Sequence, residues 1–126
     1  MKLPVFALAV TLALVPVAAF AHGQAPTAAH GGQVQDAQGT WVEFVVNGEH
    51  VEVYVMNEEG APLPAAQITG TATVMVGGQP QKVQLAPAQG NMLIGTLPAP
   101  AMGKAIATVS LKIAGKAATA RFAGAA

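Results

Sequence analysis

The stretch Thr40–Met56, TWVEFVVNGEHVEVYVM, decides the fold. Two runs in which apolar residues alternate with polar ones flank Asn47-Gly48, a dipeptide that readily takes the two positive φ values of a type I′ turn. The stretch is therefore expected to be a β-hairpin. A turn centred there sets Val46 against Glu49, Phe44 against Val51, Val42 against Val53, Glu43 against Glu52, Val45 against His50 and Trp41 against Tyr54. One face is then wholly apolar, with Val42, Phe44, Val46, Val51, Val53 and Val55. The other carries Trp41, Glu43, His50, Glu52, Tyr54 and Met56, with two carboxylates opposite each other and an imidazole on the diagonal.

The same alternation runs outward in both directions. Gln33–Asp36 forms a strand joined to the hairpin by Ala37-Gln38-Gly39, a three-residue connection that puts Val34 against Val42 and Gln33 beside Glu43. Beyond Met56, Asn57-Glu58-Glu59-Gly60 turns and Ala61-Pro62-Leu63-Pro64 crosses, a place where the chain can change sheets. Thr71–Val76 and Gln81–Leu85 pair across Gly77-Gly78 with Ala72 against Val83. Met92–Leu97 is a short strand whose inward face the pattern does not assign. Ala105–Ile113 turns at Ala114-Gly115 and pairs Leu111 with Ala118, Val109 with Ala120 and Ala107 with Phe122. About eight short strands with no segment of helical period predict an all-β domain, a single antiparallel β-sandwich (immunoglobulin-like) or a small barrel.

The chain has 126 residues, of which 52% are hydrophobic and 10% charged, enough for one domain with its own core. Lys2 precedes an uncharged run that ends in Ala19-Phe20-Ala21, the pattern of a cleaved signal peptide. The expected organisation is a signal peptide over 1–21, a flexible N-terminal arm over 22–31 (the segment HGQAPTAAH and Gly31) and a β-domain over 32–126. The address is periplasmic or secreted, with no membrane insertion after cleavage. There is no cysteine, which excludes disulfides, thiolate metal sites, thiol nucleophiles and lipid attachment at a cysteine. Near-zero net charge gives no basis for binding nucleic acid. All the acids lie between Asp36 and Glu59, whereas every base after Lys2 lies between Lys82 and Arg121.

Chemistry concentrates in the arm and first hairpin. His22, His30 and His50 are the three histidines, and they fall near Glu43 and Glu52. Imidazole with carboxylate suits copper or zinc, and two facing glutamates repel unless a cation lies between them. Any one of these residues, taken alone, is ordinary on the outer face of a strand. Cleavage after Ala21 would give His22 a free amine beside its ring, a pair that binds one copper ion. A histidine at that place resembles the mature N-terminus of periplasmic copper-resistance β-barrel proteins and, more distantly, copper-dependent polysaccharide monooxygenases. The run AHGQAPTAAHGGQV is similar to small uncharacterised exported β-sandwich proteins of proteobacteria, a resemblance that implies a periplasmic address. Met56, Met75, Met92 and Met102 lack the close spacing of a thioether copper site and are assigned to packing. Ser110 is the lone serine and has no His-Asp partner nearby, so no catalytic centre is expected. The expected function is metal binding without catalysis, copper ahead of zinc. The alternative is a metal-free module that docks a periplasmic protein partner through an outer sheet face bearing Trp41 and Tyr54.

Overall fold

The computed structural model describes Pro4 and residues 24–101 and 105–124. The strands are β1 (Gln33–Ala37), β2 (Thr40–Asn47), β3 (His50–Met56), β4 (Ile68–Val76), β5 (Gln79–Pro87), β6 (Met92–Thr96), β7 (Ala107–Ile113) and β8 (Lys116–Phe122), with one 3₁₀ turn at Ala65–Gln67. All pairings are antiparallel, in one sheet of order β1-β2-β3-β6-β5-β4-β7-β8. The fold is all-β and barrel-like. β5 is the corner: Gln79–Leu85 pairs with β4, while Ala86 and Pro87 pair with β6.

The ends of the sheet, β1 and β8, come together without a backbone ladder between them. Gln38 crosses that seam, its Oε1 accepting the Thr119 N–H at 2.6 Å.

Tight turns fix most of the registers. Gly77-Gly78 and Ala114-Gly115 each have both central residues at positive φ, the type I′ requirement. They set Ala72 against Val83, and Leu111, Val109 and Ala107 against Ala118, Ala120 and Phe122, as the sequence predicts. The first hairpin differs. Asn47 pairs with His50, so Gly48 and Glu49 are the central residues, with Gly48 at φ +62 in the first position where a type II′ turn needs glycine. Its carbonyls are held from outside, since Leu97 N–H donates to Glu49 O at 2.7 Å and Ala101 N–H to Gly48 O at 3.0 Å. The register is consequently displaced by two residues: Phe44 faces Val53, Val42 faces Val55, Glu43 faces Tyr54 and Val45 faces Glu52. A shift of two leaves every side chain on its expected face.

The β1–β2 connection corrects the sequence reading more deeply. Gln38 and Gly39 alone form the turn, at φ +48 and +93, closed by the Gly39 N–H donating to Asp36 Oδ1 at 3.1 Å. The register moves by one. Val34 therefore sits opposite Glu43, and Gln35 opposite Val42.

The inward faces meet in a core of Val42, Phe44, Val51, Val53 and Val55 from the first hairpin with Val74, Leu93, Val109, Leu111 and Phe122 from the rest. Phe44 and Phe122 touch as tilted rings with centroids 5.2 Å apart. Between β3 and β4 the chain skips two strands. Leu63 N–H donates to Val55 O and Ala65 N–H to Gly90 O, which ties this crossing to β3 and to the connection between β5 and β6.

Candidate functional site

Parity sends Trp41, Glu43 and Tyr54 to the outside of the first hairpin, yet they are only 7%, 1% and 9% exposed. Their cover is the chain's own. Residues 29–32 fold back across β2, and the 57–60 turn closes the other side. There Trp41 Nε1 donates to Glu58 O at 3.1 Å, and Pro26 lies beside Gly60.

Glu43 is the centre of this arrangement. Its Oε1 accepts the Ala29 N–H at 3.2 Å and contacts His30 Nδ1 at 2.9 Å. Its Oε2 accepts the His30 and Gly32 N–H groups, each at 2.9 Å. Gly32 has no side chain because a Cβ there would collide with the Phe44 carbonyl oxygen. Burial opposes ionisation of Glu43, but the bonds from the His30 ring and from the Gly32 and His30 amides outweigh it. The carboxyl is held below its ordinary value.

The His30 ring is also stacked on Tyr54, with centroids 3.6 Å apart and planes 4° from parallel. Tyr54 in turn donates its hydroxyl to Glu52 Oε2 at 2.8 Å. Burial first, then this bond and the charges of Glu52 and Glu43, push the phenol up to about 12. The result is a chain of contacts, Glu43–His30–Tyr54–Glu52. Among the described residues no buried side-chain polar atom lacks a partner.

The expected ligand set is rearranged by this geometry. Glu43 and Glu52 are not opposite each other, so they do not pinch a cation between them. Both Glu43 oxygens are occupied by N–H groups, which makes this residue an anchor rather than an open ligand. His50 is exposed at the hairpin tip opposite Asn47 and Thr96. It lies four residues, roughly 13 Å of strand, from Tyr54, and the fold does not bring it to His30. His22 lies outside the described residues. Among the described residues no three of His, Cys, Asp and Glu come together as a group that could hold a metal ion. What remains is His30: with Nδ1 on a buried carboxylate, Nε2 is the nitrogen left for a ligand, and the side chain is 42% exposed.

Gly32 enters the site without having been singled out from sequence, and Tyr54, read there as part of a docking face, instead stacks on His30. The one hint was His30-Gly31-Gly32 just before a strand, a place where backbone amides can converge on an acceptor. Among the described residues no helix is long and apolar enough to cross a membrane. Compared with protein-family models, curated proteins and solved structures, the chain matches none.

Proposed function

We propose that this is a small exported, non-catalytic protein that binds copper in preference to zinc, with His30 as its ordered ligand. The observation that carries this reading is the 2.9 Å contact between His30 Nδ1 and the buried Glu43 carboxylate. A carboxylate on one ring nitrogen fixes the tautomer, orients the ring and makes the other nitrogen a better donor, the usual support for a metal-bound histidine. His22, freed at a mature N-terminus, would supply an amine and a second imidazole. Glu43 acts on the metal only through His30. Glu52 meets this arrangement only through the Tyr54 hydroxyl, and His50, at the hairpin tip, stands apart from it.

The docking alternative has less to work with, because Trp41 and Tyr54 are covered by the chain itself.

Calorimetric titration of protein recovered from the exported fraction with Cu²⁺ and Zn²⁺ tests the proposal. Copper should bind, the melting temperature should rise with it by mass action, and affinity should fall in acid because protons compete with the metal for imidazole nitrogens. His30→Ala and His22→Ala should each weaken binding, while His50→Ala should change it little. Absence of binding by the parent, or parent-like affinity in the double His22/His30 variant, would overturn the reading.

A further inference from the structure

The outer face of β5-β4-β7-β8 is unlike the rest of the surface. Register places its outward residues in rows across the strands. At one end Pro80, Met75 and Ile106 stand side by side, since Met75 pairs with Pro80 and its N–H donates to Ile106 O at 2.9 Å. Met75 is 38% and Ile106 54% exposed, so two of the three large apolar side chains exposed among the described residues are cross-strand neighbours. The next row, ~7 Å along the strands, reads Lys82, Thr73, Thr108 and Arg121. Behind it come Gln84, Thr71, Ser110 and Thr119, then Thr69 and Lys112. These four strands carry no acidic residue, and none of their bases forms an ion pair among the described residues.

We infer that this face docks the protein on an anionic phospholipid bilayer, with Met75, Ile106 and Pro80 entering the headgroup boundary while Lys82 and Arg121 lie over the lipid phosphates. An apolar tip bordered by bases fits such a surface, because burial of the tip adds to charge attraction and long basic side chains keep their heads in the polar layer. Other occupants fit less well. Phe122 is the one aromatic on these strands and it is buried inward, so there is no platform for stacking nucleobases. Three apolar side chains fall far short of the ~800 Å² per partner of a standard protein interface.

Co-sedimentation with vesicles tests this directly. The full exported chain should bind vesicles containing phosphatidylglycerol at low salt, be released as salt rises, and bind pure phosphatidylcholine much less. Lys82→Gln and Arg121→Gln should each weaken binding roughly fivefold, the effect of one base at a charged surface. The pair Met75→Ser and Ile106→Ser should weaken it further. All four side chains project outward, so a melting curve like the parent's separates loss of binding from loss of fold. Equal binding to both kinds of vesicle, no binding to either, or parent-like binding by the Lys82/Arg121 double variant would overturn the inference.

Discussion

The imidazole of His30 lies parallel to the ring of Tyr54, with centroids 3.6 Å apart and planes differing by 4°. This stack fastens the end of the arm to β3, whereas the Glu43 bonds fasten it to β2. Replacing His30 by Ala removes the stack and the Nδ1 contact together, and should cost about 1 to 2 kcal/mol. His30→Phe keeps a ring on Tyr54 and should recover part of that. Chemical denaturation of the two variants, followed by the fluorescence of Trp41, checks the order.

Glu43 makes stability depend on acid in a defined direction. Its carboxyl is held below the ordinary value of 4.5, so the unfolded state takes up protons first as pH falls. The contribution is fully present above about 4.5 and is lost progressively below it, as pH descends through the folded value. Glu43→Gln presents an amide to N–H donors that need an acceptor and should cost about 3 kcal/mol at neutral pH. The loss should shrink in acid. Melting temperatures of parent and variant from pH 3 to 7 should therefore converge, and parallel curves would contradict the anchor role.

Tyr54 is the only tyrosine, so its ionisation can be followed by absorbance without overlap from another phenol. It should titrate near 12 in the folded protein. A raised value means that the stabilising contribution is complete below the unfolded phenol's 10 and is lost as pH rises through 12. Glu52→Gln should bring the value only part of the way down, because burial is the larger cause. Since a glutamine oxygen can still accept the Tyr54 hydroxyl, that substitution should leave stability at neutral pH nearly unchanged.

Of the four hairpin registers that the sequence predicts, two hold because their turns are local. Gly77-Gly78 and Ala114-Gly115 take the required backbone angles on their own. Asn47-Gly48 supports more than one turn, and the choice falls to amides from Leu97 and Ala101 that no local pattern reveals. The apolar face of the hairpin survived that choice because side chains alternate with period two. Val34 did not survive a shift of one, caused by the Asp36 side chain closing a shorter turn. The buried state of Glu43 was hidden for a similar reason. Alternation marks the residue as outward, and what covers it is backbone from Ala29, His30 and Gly32, which has no hydropathy of its own.

Phe44 is buried against Phe122, so Phe44→Ala should cost about 3 to 5 kcal/mol. Val46, only partly buried beside the core, should cost less when replaced by Ala. Urea midpoints of the two variants give the comparison.

The seam between β1 and β8 makes this sheet a strip whose ends meet rather than a hoop. Both ends keep a row of backbone donors and acceptors, and among the described residues the Thr119 N–H donates across them to Gln38 Oε1. Since β1 follows directly after the segment that Glu43 holds, acid that loosens that hold also frees the strip's end. An unlatched edge is a template for another chain. Self-association on acidification should therefore begin at β1 and β8, and hydrogen exchange should speed up there before it does in the β4–β5 hairpin.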